Sequence, residues 1–223
     1  MSASDIDIET CSRRVRTGAR TSSVRRGVLA AVVAGATLVV PVLGDSATLA
    51  APARLDDPIA EFASGALVLA RTTTASFVAW RREVADEVGT RLGIDPDVLD
   101  AAWARADAEH QTALMAALAQ IGTPYRRRTS DPLRGFDCSG LTTWAWAQAG
   151  RSLPRNSTQQ WLAGEPRTPE TAQAGDLLRY PGHVMMWLGV GRAIVHSPQS
   201  GEFVEVQLLS ERSFSRSRFF DPS

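Results

Sequence analysis

One cysteine and two histidines carry the chemistry this sequence suggests. Cys138 lies in Phe136-Asp137-Cys138-Ser139-Gly140-Leu141, at the expected start of a helix that Asp137 would cap. At a helix N-terminus, unpaired backbone N–H groups and the helix dipole favour the thiolate, the nucleophilic form. A lowered thiol pKa and fast alkylation near neutral pH are therefore expected. A thiol also gains from a base that takes its proton and returns it to the leaving group. His183 in Gly182-His183-Val184 and His196 in Val195-His196-Ser197 are the candidates in the downstream half. Other readings stand beside this one. A lone cysteine can be a small buried hydrophobe. One cysteine and two histidines could also form part of a zinc site, but no further ligand and no zinc spacing accompany them.

The elements that must position these residues can be read around them. Val184–Leu188 and Ala193–Val195 are short apolar runs separated by Gly189-Val190-Gly191. A two-residue loop at Gly189-Val190 or Val190-Gly191 would pair them antiparallel. His183 and His196 would then be opposite each other or one diagonal step apart, with both side chains on one face. One histidine could orient the other while Cys138 faces them from its helix, giving a nucleophile, a base and an orienting group.

Further strands are expected over 176–180, 203–208 and 217–220, punctuated by Pro181-Gly182 and Gln199-Ser200-Gly201. Upstream, the spacing is helical. Residues 58–93 read as helix, ending at Gly93. A new helix opens at Asp95-Pro96-Asp97, and its apolar stripe runs through Leu99, Trp103, Ala106, His110, Leu114, Ala117 and Ile121. Gly122 and Pro124 end it. Residues 125–134 read as a loop, 138–149 as the cysteine helix stopped by Gly150, and 157–163 as a short helix. Helices first and antiparallel strands after make an α+β domain. His110, on an apolar stripe, reads as a packed and hydrogen-bonded residue rather than a ligand. Trp80, Trp103, Trp144 and Trp146 read as packing residues rather than a ligand platform.

Composition excludes some partners. The 223 residues are 44% hydrophobic and 22% charged, with 24 basic and 24 acidic residues. All the basic residues apart from histidine are arginine. A net charge of zero disfavours a nucleic-acid partner. The charge is uneven, however. Six arginines within residues 1–27 precede an apolar run from Val28 to Leu43. That is the layout of an export signal, with small residues suited to cleavage after Ala47 or Ala50. The run is short for a bilayer crossing, which needs about 20 residues. An uncleaved anchor and a buried helix are the alternatives. Residues 1–50 are thus read as a signal peptide or N-terminal anchor and 51–57 as a linker. Residues 58–107 form a helical segment of unknown role, and 108–223 the catalytic domain. Removal of the signal would also remove Cys11, leaving Cys138 without a disulfide partner.

From about Leu114 to the end, the sequence resembles the NlpC-type cell-wall cysteine peptidases. Six stretches carry the resemblance, in order: Ile121-Gly122-Thr123-Pro124-Tyr125, the Phe136–Leu141 stretch, Leu153-Pro154-Arg155-Asn156-Ser157 with Gln160, Ala174-Gly175-Asp176-Leu177, Gly182-His183-Val184, and Val195-His196-Ser197-Pro198. The resemblance implies a papain-like core of helices on an antiparallel sheet. It implies Cys138 as nucleophile, His183 as base and His196 as the residue orienting the imidazole. Tyr125, Asp137, Ser139 and Arg155 would line the substrate site. The implied reaction is hydrolysis of a peptidoglycan stem peptide between D-glutamate, through its γ-carboxyl, and a diamino acid. No metal or cofactor is implied, and the expected protein is a monomer, secreted or wall-associated, meeting the membrane only through its N-terminal segment. An amidase or acyltransferase on the same scaffold, or a silent wall-binding scaffold, are the alternatives. Two stretches depart from the family pattern: Arg126-Arg127-Arg128 after Tyr125, and Met185-Met186-Trp187 after Val184. The arginines are either a solvated loop or an altered substrate rim.

Overall fold

The computed structural model describes residues 56–69 and 75–223. The expected export signal, Cys11 and most of the linker lie outside the described residues. Helix α1 (Pro58–Leu69) turns Ile59, Ala60, Ala63 and Ala66 inward, a three-and-four spacing that makes one buried stripe. Helix α2 (Ala75–Leu92) does the same with Phe77, Val84, Ala85 and Val88. The two pack against each other, with Phe62 edge-on to Trp80 at 5.8 Å between ring centres.

Helix α3 (Pro96–Arg105) starts as its sequence requires. The Asp95 carboxylate accepts the Asp97 N–H, and Pro96 occupies the first turn. The single helix expected to run on to Ile121 is in fact broken. Ala106 is extended at ψ 149°, and Asp107 caps a new helix, α4 (Ala108–Leu118), by accepting the His110 N–H. The apolar stripe survives the break, because Leu99, Trp103, Ala106, His110, Leu114, Ala117 and Ile121 all remain buried. Trp103 spans the interior and donates its indole N–H to the Leu188 carbonyl at 2.8 Å.

The expected loop over 125–134 holds the first strand of a small antiparallel ribbon, β1 (Ser130–Asp131), which pairs with β2 (Gly135–Phe136) just beyond it. Helix α5 (Cys138–Gln148) follows at once. Its Gly140 is required by space, since a Cβ there would collide with the Thr129 carbonyl oxygen. Helix α6 (Ser157–Ala163) is capped by Asn156, whose side chain accepts the Gln159 N–H.

Strands β3 (Glu165–Arg167), β4 (Leu177–Tyr180), β5 (His183–Trp187), β6 (Ala193–His196) and β7 (Glu205–Leu208) come next. Helix α7 (Glu211–Ser215) and strand β8 (Arg218–Asp221) complete the chain. Six strands make one antiparallel sheet in the order β3-β8-β4-β5-β6-β7. Alternation along the strands gives it two apolar faces. Leu177, Val184, Met186, Val195, Val206 and Phe220 join the helices in the main core. Leu178, Met185, Trp187, Ile194 and Phe219 form a second cluster with Leu209. Helices followed by an antiparallel sheet make the α+β class expected from sequence. Residues 58–106 belong to the same compact unit, with α1 against α4 and α2 reaching β7.

Candidate active site

The β5–β6 hairpin sets the first part of the site. Met186 pairs with Val195 and Trp187 with Ile194. The Leu188 N–H donates to the Ala193 carbonyl, which leaves a turn of four residues, 189–192, closed by the Ala193 N–H on the Val190 carbonyl, rather than the expected two-residue loop. Gly189 reaches it at φ 81° with Ala102 and Ala174 pressed close, so no side chain fits there. The register nevertheless equals one of the two expected, and His183 and His196 are diagonal neighbours on one face. Their rings meet: His183 Nε2 lies 3.0 Å from His196 Nδ1. His196 is buried, and His183 is half-buried.

Cys138 reaches the same end of the sheet from the first position of α5. Asp137 caps that helix by accepting the Gly140 N–H at 2.7 Å. The backbone N–H groups of Val184, the residue after His183, of Ser139 and of Cys138 itself lie near enough to the Cys138 sulfur to favour its charged form. Two further clamps hold the parts together. Ser197 Oγ donates to the Phe136 carbonyl at 2.8 Å. Buried Gln160 on α6 donates to the carbonyls of Ser139 and Pro154 at 3.1 and 2.9 Å and accepts from Thr142 Oγ1 at 2.9 Å.

Electrostatics correct one expectation. Burial pushes the Cys138 thiol up from its ordinary value, and nearby Asp137 adds to the rise. The N–H groups around the sulfur pull the other way without reversing it. The helix start alone had suggested a lowered thiol. Burial also drives His183 down to about 4 and His196 to about 3, the latter helped by His183. The resting site thus holds a neutral thiol and two neutral imidazoles. Such a site can pass a proton from sulfur to imidazole as attack proceeds.

The other expected site residues surround Cys138. Half-buried Tyr125 has its phenol raised by burial and then by Cys138 and Asp137. Asp137 is heavily engaged. Its two oxygens receive both terminal nitrogens of Arg155 at 2.9 and 3.0 Å, the Arg128 N–H at 2.7 Å and the helix cap. Arg155 also donates to Ser139 Oγ at 3.1 Å. The guanidinium therefore stands over the first turn of α5, and the Arg126–Arg128 backbone is tied to the same carboxylate. The side chains of those three arginines are exposed.

His110 lies away from this site and is structural, as read from sequence. Its Nδ1 lies 2.9 Å from the Asp107 carboxylate and its Nε2 3.0 Å from Asp176 Oδ1, with Trp146 edge-on to its ring. Burial opposes a charge on the ring, but these carboxylates outweigh it and raise the pKa. Among the described residues, His110, Asp176 and Asp221 are the one group close enough to share a metal ion. Their atoms are already spent on one another, and Arg167 donates to Asp221 at 2.6 Å. The sequence had not singled out Glu205, which sits opposite His196 on β7. The signal that finds it is register, and register across the eight-residue connection from β6 could not be fixed in advance.

The NlpC/P60 family pattern matches residues 122–220. A "Probable endopeptidase" of Corynebacterium glutamicum is 39% identical over 110 residues, covering 48% of this chain and 51% of that protein. The "Bifunctional muramidase/DL-endopeptidase CwlT" of Bacillus subtilis is 38% identical over 100 residues, covering 41% of this chain and 30% of that protein. The "Gamma-DL-glutamyl hydrolase" of Bacillus subtilis is 38% identical over 99 residues, covering 41% and 24%. The chain spans about half the length of the first of these relatives and less of the other two. The residues that build the site all lie within 122–220, the stretch over which this chain is similar to the NlpC/P60 family.

Proposed function

We propose that the chain is an exported cysteine endopeptidase acting on peptidoglycan stem peptides. The bond it cuts joins D-glutamate, through its γ-carboxyl, to the diamino acid. The observation that carries this reading is the 3.0 Å contact between His183 Nε2 and His196 Nδ1 at the sheet end where Cys138 starts α5. Relatives named as endopeptidases support the reaction class, and one named as a γ-DL-glutamyl hydrolase supports the bond. Export rests on the arginine-rich lead and apolar run within residues 1–43.

The chemistry follows from the geometry. With Nε2 tied to His196, Nδ1 is the nitrogen left on His183 to receive the Cys138 proton. The sulfur attacks the γ-carbonyl carbon, and its proton passes to His183. The oxygen that gains charge can take the Cys138 N–H at the start of α5. His183 then protonates the departing amine, leaving a thioester. Water, deprotonated by the same imidazole, cleaves the thioester and restores the thiol. Tyr125, Ser139 and the Asp137–Arg155 pair form the wall along which the stem peptide lies.

The test is digestion of purified peptidoglycan with the protein and with Cys138→Ala, followed by mass analysis of the fragments. New termini at the γ-D-glutamyl bond, missing with the variant, are expected. Cleavage at the sugar–peptide amide would assign an amidase instead, and transfer to an added amine an acyltransferase. No product from either protein would leave a wall-binding scaffold.

A further inference from the structure

The proton positions on the two histidines can be followed from ring to ring. For His183 to accept the thiol proton, one of its nitrogens must carry a free lone pair. Its Nε2 lies against His196 Nδ1, so that nitrogen must be Nδ1. In a neutral imidazole one nitrogen bears hydrogen and the other the lone pair. A lone pair on Nδ1 therefore places the hydrogen on Nε2, which donates to His196 Nδ1. His196 is neutral too, because burial holds its pKa at about 3. Accepting at Nδ1, it must carry its one hydrogen on Nε2.

That Nε2 atom is buried and has no hydrogen-bond partner among the described residues. A buried N–H without an acceptor is costly, so what faces it decides which tautomer prevails. Glu205 faces it. Its Oε1 is 3.6 Å from His196 Nε2, on the residue of β7 directly opposed to His196. An ionised carboxylate can only accept. Both residues line one open pocket with His183, Glu202, Gln199 and Gln207, whose only charged side chains are the two glutamates. No arginine shares the lining to draw the Glu205 carboxylate elsewhere.

We propose that Glu205 is a positioning residue of the active site: its carboxylate holds His196 in the Nε2–H tautomer and so keeps the Nδ1 lone pair of His183 free for the Cys138 proton. The inference rests on the cysteine-peptidase reading above. It adds a fourth residue to the line Cys138–His183–His196. Glu205 acts through His196 rather than on the sulfur. Replacing it by an amide of the same shape lets an N–H donor stand before Nε2, which an acceptor-only carboxylate forbids, and so admits the opposite tautomer along the line. In that state His183 carries hydrogen on Nδ1 and cannot serve as base, the same failure a buried amide causes in serine hydrolases.

The experiment compares the full-length protein with Glu205→Gln, Glu205→Ala and Glu205→Asp. The tautomers of His183 and His196 are read from their 15N ring signals without substrate, and kcat and KM are measured on a stem peptide. In the parent, His196 should carry hydrogen on Nε2. In Glu205→Gln it should shift to Nδ1, with kcat lower by at least about tenfold and KM within about twofold. Glu205→Ala, where water can accept, should fall between, and Glu205→Asp should recover part of the lost rate. An unchanged His196 tautomer in Glu205→Gln, or hydrogen on His196 Nδ1 in the parent, overturns the proposal. The two readings separate cleanly. If the parent cuts no stem peptide while its tautomers follow Glu205, the peptidase reading fails and the positioning stands. If it cuts and the tautomers ignore Glu205, only the positioning fails.

Discussion

The hydroxyl of Ser197 donates to the carbonyl oxygen of Phe136 across 2.8 Å. Ser197 follows His196, and Phe136 stands two residues before Cys138, so this bond ties the histidine hairpin to the nucleophile's approach. Both groups are buried. The Phe136 carbonyl also accepts the Arg126 N–H, so it is not orphaned when the serine goes. Ser197→Ala should cost about 1 kcal/mol in urea unfolding. It should lower kcat more than it raises KM, since it loosens the spacing of the catalytic groups rather than substrate contacts. Steady-state kinetics that match the parent would mean the packing alone holds the hairpin in place.

The resting charges set a pH profile. His183 is held near 4 and the Cys138 thiol above its usual value, both chiefly by burial. The base is therefore lost only as pH falls toward 4. A profile of kcat/KM that is level from about pH 6 to 8, with its acid limb near 4, is expected. Iodoacetamide should alkylate Cys138 slowly at pH 7 and faster as pH climbs past the ordinary thiol range. Full-rate alkylation at pH 6 would instead reveal a standing thiolate–imidazolium pair.

His110 should act on stability with the opposite pH sign to the catalytic pair. Its folded pKa is raised, so its contribution is complete below the ordinary histidine value and fades as pH rises through the folded one. His183 and His196 are depressed. Their contribution is complete above about 6.5 and fades as pH falls toward 4 and 3. His110→Ala leaves buried Asp176 with only the Gln173 N–H on its carboxylate and should cost about 3–5 kcal/mol. Chemical denaturation at pH 6 and at pH 8.5 checks the His110 statement, because the gap between parent and variant should narrow at the higher pH.

Asp137 serves both the cap of α5 and the grip of Arg155, and two substitutions separate these tasks. Asp137→Asn keeps a capping oxygen and weakens the ion pair. Asp137→Ala removes both. The alanine should lose about 1 kcal/mol more than the asparagine in thermal or urea unfolding. Substrate KM should rise in both if the Asp137–Arg155 pair walls the peptide. Equal stability of the two variants would show that the cap contributes nothing.

Local signals foretold the site well and tertiary ones poorly. The stretch around Cys138 announced its own helix, because Asp137, Gly140 and Gly150 each have a local reason to be there. The His183–His196 diagonal followed from strand parity, which a longer turn did not disturb. The break at Ala106 left no mark, since alanine favours helix and the apolar stripe runs straight through it. Asp107 becomes a cap only because Gln173 and His110 hold its side chain, and Gln173 is distant in sequence. The direction of the Cys138 shift was likewise beyond local reasoning. A helix start lowers a thiol, but how deeply the sulfur is buried depends on where β5 lands.

The bond from Trp103 to the Leu188 carbonyl has a practical consequence for anyone excising the catalytic part. Family likeness begins at residue 122, yet the core is shared well upstream, where α1 leans on α4 and Trp103 plugs the interior behind the hairpin turn. The border of shared ancestry and the border of the folding unit do not coincide. A fragment cut at residue 108 would keep every group named in the chemistry and still present a raw apolar wound along α4. The smallest piece that behaves as this protein does should begin near residue 56.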